Sequence, residues 1–207
     1  MSRTRERLYR TEAIVLRRQS LGEADRLMTL YTPTRGKLRA IAKGIRKPSS
    51  RKAGHMELFM HAKLLVAKGR NLDIVTQAEA IHTFRALRDN LERVTFAHYT
   101  VELLDRFSQE GQENRPLFDL MVQTLQRLCD DADLFLTVRV FELRLLALEG
   151  YQPQLFRCLD CGDAIVPVIN YFDPEHGGVL CPRCGEGLIA RPGMSRQVRP
   201  ISVNALK

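Results

Sequence analysis

The chain of 207 residues has no tryptophan, and only 7% of its residues are aromatic. Before residue 82 the aromatics are Tyr9, Tyr31 and Phe59 alone, too few for the row of rings on which many nucleic-acid-binding barrels stack bases. No apolar run is long enough to cross a bilayer. The charged N-terminus MSRTRERLYR leads into Glu12, Arg17 and Arg18 rather than into the apolar stretch of a secretory signal, so a cytoplasmic protein with no membrane attachment is expected. Cysteine is scarce, at five residues, and in a reducing compartment those five read as metal ligands or buried thiols rather than disulfides. A P-loop, a G-x-G-x-x-G turn, a G-x-S-x-G elbow and a Ser/His/Asp grouping are all missing, so no enzyme class is indicated.

Acidic residues are scarce in one region. The net charge is +8, but residues 1–82 hold 18 Lys and Arg against 7 Asp and Glu, while residues 83–150 hold 8 against 12. The positive field therefore belongs to the first part of the chain and implies a polyanionic partner, bound through phosphates and released by salt.

That basic region reads as β structure. Thr11 to Gln19 alternates as a first strand, with Ala13, Val15 and Arg17 on one side and Ile14, Leu16 and Arg18 on the other. Arg26 to Tyr31 and Lys37 to Ala42 form a hairpin around Thr34-Arg35-Gly36-Lys37. In its second strand Lys37, Arg39, Ile41 and Lys43 share one face, while Leu38, Ala40 and Ala42 share the buried one. Met56 to Ala67 and Leu72 to Ile81 complete five strands, with a turn at Lys68-Gly69-Arg70-Asn71. Five short strands with a basic face predict an OB-fold barrel over residues 1–82. Its candidate phosphate-binding side chains are Arg35, Lys37, Arg39, Lys43, Arg46, Lys47, Arg51 and Lys52, because Lys offers a mobile point charge and Arg a bidentate fork. Read blandly, the same residues are solubilising charges on a surface loop.

Helical periodicity begins at Thr83, a candidate cap. The following helix shows a break near Asn90 and an apolar stripe of Leu87, Leu91, Val94, Ala97, Val101 and Leu104. Pro116 opens a second helix. Asp130, Asp131 and Asp133 read as helix-terminus caps ahead of Leu134 to Leu148, whose apolar residues lie nearly all round and predict a central, buried helix. The helical domain is placed at residues 83–154 and continues over 191–207, with Ser202 positioned to cap a further helix.

Two C-x-x-C pairs, Cys158 with Cys161 and Cys181 with Cys184, lie 19 residues apart and predict one structural zinc ion in a module spanning residues 155–190. Gly162 and Gly185 follow the pairs and suit tight knuckle turns. Four thiolates fill a tetrahedral shell and leave no place for a water nucleophile. A redox dithiol is the rival reading. His176 reads as a loop histidine and Cys129 as a buried small residue. His55-Met56-Glu57 matches part of the zinc-deaminase signature, but Arg157 and Leu180 stand where that signature needs proline.

The order of motifs carries a resemblance. Gly22-Glu23-Ala24-Asp25-Arg26, Thr29-Leu30-Tyr31-Thr32-Pro33, Gly36-Lys37-Leu38, and Ala42-Lys43-Gly44-Ile45-Arg46-Lys47 with Ser49-Ser50-Arg51 after it resemble the bacterial recombination mediator family RecO. The domain order extends the match over nearly the whole chain. The resemblance implies an α+β protein with an N-terminal OB-fold, a helical domain and a zinc module. Its expected activity is not enzymatic: it binds single- and double-stranded DNA, anneals complementary strands, and works with RecR and single-strand-binding protein to load RecA during repair. The alternatives from other classes are a zinc-containing protein-binding scaffold and an RNA-binding OB protein, the latter told apart through the 2′-hydroxyl.

Overall fold

The computed structural model describes residues 7–190 and 198–202. They form two compact units, one ending at Leu145 and the other beginning at Leu146. The first unit opens with five strands, β1 (Leu8–Leu21), β2 (Asp25–Thr32), β3 (Gly36–Ala42), β4 (His61–Ala67) and β5 (Asp73–His82). They close into a barrel of order β1-β2-β3-β5-β4, all neighbours antiparallel except β3 and β5. This is the expected OB-like architecture. β1 closes it by pairing with β4 through its first half and with β2 through its second, Ile14 facing both Tyr31 and His61.

Apolar residues at alternate positions fill the interior. Ala13, Val15, Met28, Leu30, Ala40, Ala42, Ala62, Leu64, Val66 and Val75 are all buried there, as strand periodicity dictates. The simple alternation of β1 does not survive intact. A bulge between Val15 and Arg17 shifts the register, so that Val15 faces Leu30 but Arg17 faces Thr29. One extra residue, Leu16, is accommodated, and parity flips after it. Arg17 therefore lies on the outer face with Thr29 instead of sharing the interior side of Ala13 and Val15. The fourth strand is also shorter than its apolar run: Met56 to Met60 form an irregular segment in which Phe59 takes a left-handed φ of 68°. Phe59 N–H donates to the Val15 carbonyl and Val15 N–H to that of Met60, which pins the segment across the bulge.

Helices α1 (Arg85–Arg88), α2 (Leu91–Phe107) and α3 (Arg115–Asp130), with α4 (Leu134–Leu148) following, share one hydrophobic cluster with Ile14, Leu16, Tyr31 and Phe59 of the barrel. Tyr31 stacks on Phe118 and Phe59 meets His98 edge-on. Buried His61 lies against Phe118 too and joins Glu12, 3.0 Å from its Nε2, to His82, 3.1 Å from its Nδ1. Asn90 caps α2 by accepting from Arg93 N–H, which explains the break in the helical pattern there. Thr83 is not a cap; Phe84 precedes α1, with a φ of 44°. Asp133 caps α4 through Leu136 N–H, Asp131 accepts from the Thr137 hydroxyl, and Asp130 accepts from Gln126.

Two further expectations about the helices fail. Leu91 is 82% exposed, because it stands in the first turn of α2, outside the packed stripe. α4 is not buried all round: Leu134, Val138, Phe141 and Leu145 point into the core, while Phe135, Leu136 and Leu143 are exposed. Hydrophobicity alone does not say how many neighbours a helix meets.

The second unit is built on a three-stranded sheet of order β7-β6-β8, with β6 (Asn170–Asp173), β7 (Gly178–Leu180) and β8 (Arg199–Ile201), plus helix α5 (Pro182–Ile189). Arg199–Ile201 is a strand on β6. The further helix expected after Ser202 falls on residues 203–207, outside the described residues. No helix among the described residues is long and apolar enough to cross a membrane.

Candidate nucleic-acid interface and metal centre

The eight cations expected on the barrel lie along its length rather than in one cluster. β2 and β3 are antiparallel, so the turn between them lies at one barrel end, and the β1–β2 turn together with the loop after β3 lies at the other. Arg35 is at the first end, 4.1 Å from the centre of the Tyr9 ring. The Tyr9 hydroxyl in turn donates to Asp73 at 2.6 Å. Burial, seconded by Asp73, pushes the Tyr9 pKa upward. Arg39 lies midway and is exposed; Lys43, Arg46, Lys47 and Arg51 are exposed at the second end. β3 spans about 20 Å at strand rise, so the cations form a track.

Besides Arg35 on the Tyr9 ring, three of the eight have internal partners. Lys37 Nζ is 3.0 Å from Asp105 Oδ1 and also donates to the Asp105 carbonyl, and its side chain is only 17% exposed. Lys52 Nζ donates to the carbonyls of Lys43 and Val75, each at 3.0 Å, and burial lowers its pKa against the pull of Asp25. It acts as a clasp beneath the loop. Arg46 donates through its N–H to Ala24 and through its guanidinium to Gly22. Arg39, Lys43, Lys47 and Arg51 have no ion pair among the described residues.

The motifs around these cations hold the loops in place. Asp25 Oδ1 accepts from Gly44 N–H at 2.7 Å, and Gly44 has the left-handed φ of 64° that this approach needs. Together with the Arg46–Ala24 bond it ties the β1–β2 turn to the basic loop. Gly36, with φ 53°, leaves no room for a side chain: a Cβ there would lie 2.1 Å from the Gln112 carbonyl oxygen. Segment 109–112 instead bonds along Lys37, which donates to Gln109 and accepts from Gly111. Thr32 Oγ1 accepts from Arg35 N–H and donates to the Gly36 carbonyl, setting the hairpin turn.

Some residues escaped the sequence reading. Arg17 reaches the outer face only through the bulge, and nothing in a single sequence marks a bulge at Leu16. Exposed Arg7, Lys68 and Arg70 belong to the end carrying Tyr9: Lys68 N–H donates to Arg7, and Gly69 N–H to Asp73. The turn Lys68-Gly69-Arg70-Asn71 was the available signal for that pair of cations. No Tyr or Phe ring of residues 7–82 is exposed. Arg199, on β8, is exposed, whereas Arg191 and Arg196 lie outside the described residues.

The four cysteines converge as expected. Their sulfurs all lie within 4.8 Å of one another, with Cys161 and Cys181 3.8 Å apart, and all are free thiols. Each pair forms a knuckle: Gly162 N–H donates to the Cys158 carbonyl and Gly185 N–H to that of Cys181. Cys181 N–H also donates to the Cys158 sulfur. Gly185 is required because the Tyr171 ring lies where its Cβ would be, at 2.2 Å. Burial raises the pKa of Cys158, but the amides of Cys161, Cys181 and Asp160 outweigh it and bring it down to about 6. Cys184 moves the other way, up to about 12, through burial and its cysteine neighbours. Four thiols this close cannot all ionise unaided, and a cation at their centre removes the conflict. The donor set thus fits a metal ion. His176 is paired with buried Asp173 at 3.0 Å and lies outside the cluster. Cys129 is half-buried beside the helical core. His55 accepts from Ala80 N–H, Glu57 pairs with Arg18, and neither joins a metal-ligating cluster among the described residues.

Fold and sites together define an OB-like barrel protein with packed helices and a four-cysteine metal module. Family models for the N-terminal and C-terminal parts of recombination protein O match residues 5–84 and 88–201. Similar proteins named DNA repair protein RecO occur in Roseiflexus, 46% identical over 203 residues, covering 98% of this chain and 69% of that protein. Others occur in Dehalococcoides mccartyi, 37% identical over 96% of this chain and 76% of that protein, and in Desulforudis audaxviator, 45% identical over 85% and 70%. The chain belongs to the recombination protein O family of DNA repair proteins.

Proposed function

We propose that this chain is a cytoplasmic recombination mediator with a binding role rather than a catalytic one. It binds single- and double-stranded DNA, anneals complementary strands, and acts with RecR to load RecA on DNA coated by single-strand-binding protein. The observation that carries this reading is the set Arg39, Lys43, Lys47 and Arg51, exposed without ion pairs on a strand and a loop tied down by Asp25 and Lys52. Held cations without exposed Tyr or Phe rings suit phosphates and leave base edges free, which annealing requires. Residues 1–82 act as the DNA-binding domain, 83–154 as a helical domain for partners, and 155–190, whose sheet β8 joins, as the metal module. The metal is zinc: four thiolates form a closed shell that suits it, and in that role it shapes the module without taking part in chemistry.

A scaffold role in the second unit is compatible with this reading. Phe156, Val166, Val168 and Ile169 are exposed there, the last three on one loop whose carbonyls at 166 and 168 accept from buried Asn170.

The test is the annealing rate of complementary oligonucleotides coated with single-strand-binding protein, with and without this chain, at two salt concentrations. Acceleration that fades at high salt is expected. Binding without acceleration contradicts the mediator role, and tighter binding of matched RNA favours an RNA-binding protein.

A further inference from the structure

Across β1, β2 and β3, Arg17, Thr29 and Arg39 form one outward-facing row, and Tyr31 with Lys37 forms the next. Between the rows sits a single carboxylate from α2. Asp105 Oδ2 is 3.0 Å from the Arg17 guanidinium, and its Oδ1 is 3.0 Å from Lys37 Nζ. Two cations from separate strands thus converge on two oxygens of one anion, which is how a nucleic-acid phosphate is commonly held. Arg17 remains 56% exposed and Arg39, beyond Thr29, is exposed too, so the occupied pair lies at the edge of the open track, where a strand lying on Arg39 would next reach.

We propose that Asp105 is an internal stand-in for a phosphate: it occupies Arg17 and Lys37 in the free protein, and a DNA backbone must displace it to use them. The inference rests on the DNA-binding reading given above. Asp105 then holds the affinity of the barrel below what its cations would give. Such restraint suits a protein that must let go of annealed product. The contact depends on two features already described: the bulge that turns Arg17 outward, and the close approach at Gly36 that brings segment 109–112 and the end of α2 against β3.

The test compares wild-type protein with Asp105→Asn, which keeps the shape but removes the charge and one of the two acceptor oxygens, and Asp105→Ala, using a fluorescent single strand over a salt series. Folding is monitored by circular dichroism. Both variants are expected to bind on the order of three- to tenfold more tightly near physiological salt, with a salt slope steeper by about 0.7 for each cation released. The gain should vanish when Arg17→Gln and Lys37→Gln are added. Asp105→Glu, which keeps the charge, should stay near wild type. Folded Asp105→Asn or Asp105→Ala protein that binds no more tightly than wild type overturns the inference and leaves the DNA-binding reading standing. If wild type and variants alike fail to bind DNA, both fall together.

Discussion

Removing the metal is expected to unfold the second unit while the barrel and its helices stay folded. Among the described residues that unit has very little core of its own: Cys158, Val179, Leu180 and Leu188 are buried, with Leu159, Ile165, Tyr171 and Val198 packed partly against that core. A segment this small needs a staple beyond hydrophobic burial. A structural zinc contributes on the order of 10 kcal/mol or more at neutral pH, above what four buried side chains supply at roughly 2 kcal/mol each. Amide hydrogen exchange before and after chelation is the measurement. Residues 154–190 should lose protection together, and β1 to β5 should keep theirs. Elemental analysis should find one metal ion per chain beforehand. Replacing Cys181 by Ser should reproduce the loss even with metal present. Retained protection in a demonstrably metal-free sample would mean that the cysteines are not a structural centre.

The second large effect concerns Arg39, Lys43, Lys47 and Arg51. Replacing all four by Ala should weaken single-strand binding on the order of 100-fold near physiological salt and flatten the slope of log K against log salt by about 2.8, at about 0.7 per phosphate contact. Stability should hardly change, because none of the four has an ion pair among the described residues and all four are exposed. Arg46 and Lys52 would be a poorer choice. Their bonds to Gly22 and Val75 hold the loops in place, so a loss of binding on replacing them would confuse contact with structure. Titrations of folded quadruple variant and wild type decide the matter. Equal affinities would move the interface elsewhere, with Arg7, Lys68 and Arg70 as the next set to test.

What was legible in the sequence and what was not follows the range of the interactions. Strand alternation is local, so the interior residues of β2 and β3 could be assigned from the pattern alone. The cysteine knuckles are local too, each closed by a glycine within four residues. Partner choice for a charged side chain is not local. Lys37 finds Asp105 68 positions away, and Lys52 finds Val75 across the barrel; an isolated sequence lists both simply as cations. The bulge at Leu16 had the same invisibility, and with it the outward turn of Arg17. α4 illustrates a different limit, since composition shows that its surface is apolar but the number of helices packed around it fixes how much is covered. The Gly-Glu-Ala-Asp and Gly-Lys-Leu motifs signalled the family without revealing their physical use. Asp25 ties two loops together, and Gly36 lets segment 109–112 approach.

The central claim is that the barrel recognises the phosphate backbone through cations and not through bases. Equilibrium binding of two single-stranded DNAs of equal length and unrelated sequence, across a range of salt, tests it most directly. The account expects near-equal affinities and the same steep negative slope for both strands. A shallow slope, or a strong preference for one sequence, would contradict it.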